Sequence, residues 1–276
     1  MFKNENEYYR VEIRDPFLEK ILNSKDFSII ESQPDEMNST RVLFGMYPQY
    51  KVKNNTLVGK ILALGDIKEL INQPTKIKDR CHKIKNKYYI DVNYEKDKYR
   101  IIFSFDGNPF SVNCYRFMPI QWSVIKTKRD RCMMVSDMIL DCIPFSEPSS
   151  NLNNVSYLES WARKWLNNIF YGDAFDTAIS KYIFSVGNNL FDDKIHSSIN
   201  DKVEILPITT YENFPAFGAT DYATDLGLGI FPEMTRETKN DCVYGANSST
   251  YIKTLPIGVR PSITITTIAS KMYQKD

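Results

Sequence analysis

The chain has 276 residues, 42% of them hydrophobic and 25% charged, and a formal net charge of +1. That composition excludes a disordered chain and closes one large core or two smaller ones, while the near-zero net charge predicts no polyanion partner. Aromatics reach 13%, and 13 Pro and 11 Gly accompany them, a balance that points to short strands and turns rather than a helical bundle.

Residues 1–40 read as an adaptor segment. Tyr8 to Ile13 suits a short strand, and Asp15-Pro16 supplies an N-cap and a first helical position for Phe17–Leu22. The N-terminus lacks the apolar core of a signal peptide, and no apolar run reaches bilayer-spanning length, so a soluble chain is expected. From Arg41 the pattern changes. Val42–Tyr50 predicts a strand, and Lys60–Ile71 an amphipathic piece that is helical after Gly65-Asp66. Tyr88–Tyr94 and Tyr99–Phe103 form a hairpin, with Glu95 to Lys98 as its turn. Tyr115–Ile125 and Cys132–Ser136 form a second strand pair. Residues 51–100 hold 13 Lys/Arg against 6 Asp/Glu, and the excess peaks at Lys76–Lys87. Without a phosphate-binding loop or an RNA-binding signature, this run reads as a solvated hairpin edge protected by lysines, inside an insertion at about 76–105.

Ser156 with Glu159 makes a capping box, and Leu158, Trp161, Ala162, Trp165, Leu166, Ile169 and Phe170 step by three and four. This is one wide apolar stripe facing a core. Gly172-Asp173 is read as the break that caps a second helix, in which Phe175, Ala178, Ile179, Tyr182 and Ile183 repeat the spacing. Val203–Pro207 predicts a strand. Tyr211–Ser249 is long, rich in Gly, Thr, Asp and Asn, and poor in periodicity. Ile257–Ile265 is a closing strand, and 269–276 a polar tail.

Four landmarks occur in order: Phe44–Gln49, Pro119–Val124, Ser160 to Phe175, and Gly258–Ile263. Together they cover roughly 41–268 and resemble DUF6273, a bacterial domain family of unknown function. The family's motif order is in turn similar to the C-type-lectin-like fold of formylglycine-generating enzymes. The resemblance implies an α+β fold: two short helices packed on antiparallel sheets, with long irregular loops. It implies no activity. The chain departs from the family at Leu226–Phe231, which has neither the Trp nor the Arg usual there.

Chemistry-bearing residues are sparse. His82 and His196 lie far apart in sequence, no GxSxG elbow is present, and the five cysteines are scattered without a CxxC pair. Cys114 and Cys142 sit in apolar surroundings typical of inert thiols. Catalytic residues are therefore not assigned, and an enzyme is not expected. Trp161, Arg163, Trp165, Asn167 and Arg260 are assigned structural roles: core for the tryptophans, carbonyls or a buried acid for the arginines, backbone for Asn167. Binding is expected on the loops after Pro207, where Tyr211, Tyr222, Asp225, Tyr244, Asn247 and Tyr251 mix aromatic and adaptable polar groups. Glu233, Asn240 and Asp241 supply oxygen ligands that would suit Ca²⁺, although turn chemistry explains the same residue types. No cofactor is otherwise expected. The reading that results is a non-catalytic module binding a glycan or a protein. The alternative is a structural component of a phage virion or tail assembly, in which the basic stretch contacts an acidic neighbour.

Overall fold

The computed structural model describes residues 28–30, 41–84, 87–105, 110–128, 131–146, 157–185, 200–206, 218–227 and 256–266. They form an α+β fold organised around one long strand. In chain order the elements are β1 (Ser28–Ile30), β2 (Arg41–Lys51), α1 (Asn55–Leu62), α2 (Gly65–Asn72), a 3₁₀ turn (Pro74–Lys76), α3 (Ile77–Arg80), β3 (His82–Ile84), β4 (Lys87–Tyr94), β5 (Asp97–Ser104) and β6 (Ser111–Lys128). There follow β7 (Arg131–Ser136), β8 (Asp141–Pro144), α4 (Trp161–Trp165), a π-helical turn (Leu166–Phe170), α5 (Tyr171–Ala174), α6 (Thr177–Ser180), β9 (Ile183–Phe184), β10 (Val203–Glu204), α7 (Asp221–Asp225), β11 (Pro256–Val259) and β12 (Ser262–Thr266).

The 18-residue β6 is the axle of the sheet. β2 pairs with its Tyr115–Ser123 stretch. β5 pairs with Ser111–Arg116 and β7 with Trp122–Lys128. Each of those overlaps residues that β2 also pairs, so β5 and β7 lie end to end on the edge of β6 opposite β2. β12 pairs with β7 and carries β9 and β10 on its other edge. β11 pairs with β8 in a separate two-stranded sheet. The closing segment is thus two strands rather than the one expected from alternation. Pro261 lacks an N–H and cannot continue a ladder, so the chain changes sheets at Arg260-Pro261.

Two cores flank the β4–β5–β6 region. Tyr99, Ile101, Phe103 and Cys114 point to one face and pack against Ile61, Ile67, Leu70 and Ile77 from α1, α2 and α3. Tyr89, Ile102 and Tyr115 point to the other and join the main core with Trp122, Trp165, Phe170 and Phe175. This is the period-two alternation of a strand buried on both sides. The piece expected to be helical after Gly65-Asp66 is α2; α1 precedes it at Asn55–Leu62, and the two cover the second core. Asn54 caps α1 by accepting from the Leu57 N–H at 3.1 Å. Ser28–Ile30, within the segment read as an adaptor, adds a strand to β2.

The tryptophan helix differs from its sequence reading in three ways. Its N-cap is Ser160, whose Oγ accepts from the Arg163 N–H at 3.1 Å; Ser156 lies outside the described residues. It runs through Gly172-Asp173 to Ala174, and the second helix is capped by Asp176, which accepts from Ala178 and Ile179 N–H, and ends at Ser180, so that Ile183 lies in β9 and not in the helix. The π turn inserts one extra residue, so the stripe loses phase and Ile169 is exposed rather than core.

The landmark segments meet in space. Gly45 has φ +73°, and a Cβ there would lie 2.6 Å from the Phe175 ring and 2.8 Å from the Ala174 carbonyl oxygen. Only glycine fits both the backbone and the contact. Gln49 Nε2 donates to the carbonyls of Met118 and Pro119 at 3.0 Å, where a bulge interrupts the β2–β6 ladder. Arg260, fully buried, donates through Nε to the Ser136 carbonyl. Arg163 forms a two-point pair with Asp201 at 2.5 and 3.0 Å and also donates to the Leu158 carbonyl. Asn167 donates to the carbonyls of Arg163 and Val203 and accepts from the N–H groups of Lys202 and Val203, which sews β10 to the π turn. Trp165 is buried and Trp161 half-buried against the same core.

Candidate functional site

One cross-strand row in the sheet is polar where its neighbours are apolar. Lys51 on β2 pairs with Tyr115 on β6, Tyr115 with Arg100 on β5, and Arg100 with Asp91 on β4. All four side chains share the face that looks into the main core. A charged row in that position needs partners, because an unpaired charge there costs several kcal/mol. The partners come from two helices.

Arg100 is the centre. Its guanidinium is 1% exposed and makes a two-point pair with Asp91 at 2.7 and 2.9 Å. The same group donates to Asp173 on α5 at 2.8 Å and to the Tyr222 hydroxyl on α7 at 3.2 Å. It also lies 4.0 Å from the centre of the Tyr89 ring, a cation–π contact. Lys98 adds a second cation to Asp91 at 3.1 Å.

Asp225, the last residue of α7, accepts from the Tyr115 hydroxyl at 2.6 Å and from Lys51 Nζ at 2.9 Å. Lys87 Nζ donates to the Asp225 carbonyl at 2.6 Å. Asp221 accepts from the Lys51 backbone N–H at 3.0 Å, on the side of β2 away from β6. Thr220 caps the helix by accepting from the Ala223 N–H. Five residues are too few for a helix to hold alone, and tertiary contacts supply what propensity does not. Beneath it, Tyr222 packs edge-on against Tyr47 and Tyr115, and the Tyr47 hydroxyl donates to Asp141 at 2.6 Å.

The electrostatics follow from this geometry. Burial works to raise the Asp91 carboxyl, but the bonds and charge of Arg100 and Lys98 outweigh it and hold Asp91 below the usual carboxylate range. Asp225 is likewise held low: burial opposes, while the Tyr115 and Lys51 bonds and the charges of Lys51 and Lys87 prevail. Burial pushes the phenols of Tyr47, Tyr115 and Tyr222 far above their ordinary value, and Tyr89 to about 12. Near neutral pH the carboxylates stay ionised and the phenols protonated. The row can dock a helix and exclude water from beneath it.

Several expected site residues fall differently. Tyr222 is fully buried in the row rather than presented to a ligand, because its ring fills the space between Tyr47 and Tyr115. Asp225 is half-buried and engaged by Tyr115 and Lys51. Tyr211, Tyr244, Asn247, Tyr251, Glu233, Asn240 and Asp241 lie outside the described residues, as do His196 and Cys242. Among the described residues no group of three or more His, Cys, Asp or Glu is placed to hold a metal ion. Cys114 is buried and its thiol is pushed up to about 12 by that burial, which removes it as a nucleophile at neutral pH. No described helix is long and apolar enough to cross a membrane.

Comparison with protein-family models, with curated proteins and with solved structures finds no match. The site therefore rests on its own geometry. Lys51, Asp91, Arg100, Tyr115 and Asp173 were not singled out by sequence reasoning. One signal was available: Arg100 stands directly before the apolar run Ile101–Phe103, and a two-residue turn at Glu95-Lys96 places Asp91 opposite it. Glu95 adopts the left-handed conformation that such a turn demands, with φ 56°.

Proposed function

We propose that this chain is a non-catalytic binding module on a C-type-lectin-like scaffold of the DUF6273 kind, and that it recognises a glycan or a protein through the chain after Pro207. The observation that carries this reading is the docking of α7. Strand β2, the β4–β5 hairpin and β6 all contribute groups that bond one five-residue helix, and Asp173 of α5 braces Arg100 behind it. That helix stands between residues 207–217 and 228–255, which carry Tyr211, Tyr244, Asn247 and Tyr251. A short helix tied down this firmly gives the flanking chain fixed points of departure, as binding loops on a rigid frame require. The resemblance of the landmark motifs supports the scaffold, since Gly45, Gln49, Trp122, Phe175 and Arg260 of those motifs are spent on packing and backbone contacts.

A glycan array and a bacterial surface-protein panel, each screened with and without calcium, test the reading. Binding that is lost when Tyr244, Asn247 and Tyr251 are replaced by alanine, with the melting temperature unchanged, is the expected result. Binding that survives that triple replacement moves recognition elsewhere.

A second reading, a structural component of a virion or tail, is supported by Met46 and Tyr50, which are 42% and 52% exposed on one strand. Exposed large apolar groups on a sheet suit a permanent neighbour. Light scattering across a concentration series separates the two: a stable oligomer dispersed by Met46→Lys with Tyr50→Lys favours assembly.

A further inference from the structure

The face of the sheet that carries the second core does not end at its helical cover. Lys83 on β3 pairs with Tyr88 on β4, and Tyr88 with Phe103 on β5, so all three lie on the face covered by α1 to α3. Two positions beyond Phe103 on the same face stands Phe105, 38% exposed. Phe110 precedes Val112, the residue paired with Phe103, by the same two positions. The Phe105 and Phe110 rings stack, with centroids 5.5 Å apart and planes at 23°, and Tyr88 meets Phe105 edge-on at 6.0 Å. An aromatic stack whose Phe105 ring is partly exposed thus continues the sheet surface to its rim.

The charge on the helices and strand that cover this face is mostly positive. Asn55–Ile84 carries six cations, Lys60, Lys68, Lys76, Lys78, Arg80 and Lys83, against three carboxylates, Asp66, Glu69 and Asp79. Two of those carboxylates are engaged: Lys76 and Arg80 bind Glu69, and Arg80 binds Asp66. Lys60, Lys68, Lys78 and Lys83 are exposed and form no ion pair with any described residue. Lysines on an edge strand would by themselves only discourage edge pairing. Edge protection does not call for an exposed phenylalanine stack next to the lysines.

We propose that this rim binds single-stranded nucleic acid, with a base extending the Phe105–Phe110 stack and Lys83 and Lys78 meeting the flanking phosphates. Every base has a π face, so the stack gives affinity without reading sequence, and the lysines supply the salt-sensitive part. An acidic peptide would satisfy the lysines but leave the exposed part of Phe105 without a planar partner. A duplex would bury its bases away from the rings. The site is independent of the loops after Pro207.

The test is fluorescence anisotropy of a labelled oligothymidylate of about 12 nucleotides with the full chain, between about 50 and 200 mM salt. A duplex of the same length and an oligoglutamate peptide of the same charge run alongside. The expected result is binding of the single strand in preference to both. Phe105→Ala weakens it by about 5- to 150-fold, Phe105→Tyr retains it, and Lys83→Glu flattens the log–log salt slope by about 0.7 or more. Absence of binding at low salt, equal or tighter binding of duplex or oligoglutamate, or an unchanged affinity for Phe105→Ala each overturns the proposal. Should Phe105→Ala fail to fold, Lys83→Glu at its exposed position decides through the salt slope.

Discussion

Trp122 Nε1 donates to the carbonyl oxygen of Phe44 at 2.7 Å, and both residues are buried. The bond joins β6 to β2 at the bulge where their ladder is interrupted between Leu43 and Met46. The indole does there what a backbone partner does elsewhere. Trp122→Phe removes the buried donor and leaves a small void, a loss of about 2–4 kcal/mol. Urea unfolding of the variant measures it, and a loss below about 0.5 kcal/mol contradicts the assignment.

Gly45→Ala destabilises by about 2 kcal/mol or more, since the added methyl meets both a positive φ and the Ala174 backbone. Adding Phe175→Ala does not restore stability. It removes only the ring and leaves the carbonyl oxygen 2.8 Å from the new methyl. A double-mutant cycle in thermal unfolding distinguishes this from simple crowding by the ring.

Arg100→Met leaves Asp91 and Asp173 without their shared cation at the edge of the main core. The expected cost is about 3–5 kcal/mol. Hydrogen exchange of residues 221–227 rises more than that of β7 and β12, because α7 loses the Tyr222 bond while the far sheet does not. Uniform loss of protection instead would mean that Arg100 supports the whole fold and not α7 in particular.

The row also sets a pH dependence. Asp91 and Asp225 have folded values below their unfolded ones, so their contribution is complete above about pH 4 and is lost as pH falls through the folded values. Tyr47, Tyr115 and Tyr222 have folded values raised above theirs. Their contribution is complete below about pH 10 and is lost as pH rises further. Melting temperature plotted against pH shows both shoulders. In Tyr115→Phe with Asp225→Asn both shoulders shrink, while the plateau between them falls by about 1–2 kcal/mol of stability.

What the sequence disclosed follows the length scale of each signal. The tryptophan stripe was legible because Trp165, Leu166 and Phe170 are set by a period that holds over several turns. The β4–β5 hairpin was legible in type, but a turn placed two residues too long hid the pairing of Asp91 with Arg100. Helix α7 was not legible at all. Its five residues carry no full period, and it exists because Lys51, Tyr115 and Arg100, far away in the chain, meet it. For the same reason Tyr222 read as a loop tyrosine available to a ligand. The π turn that turns Ile169 outward has no local sequence mark either: it accommodates Asn167, which serves β10.

The long reach of the Lys51 contacts has a consequence for how the chain is made. Lys51 meets Asp221 and Asp225 across 170 and 174 residues of sequence, and Arg100 meets Tyr222 across 122. Contacts this distant close late, since loop entropy is spent before they return anything. During synthesis β2, β4, β5 and β6 emerge well before their helix, and the charged row faces water until residue 225 has left the ribosome. Completion of the core is thereby coupled to the emergence of residues 221–225, and a nascent chain stalled before α7 displays the face that the finished protein hides.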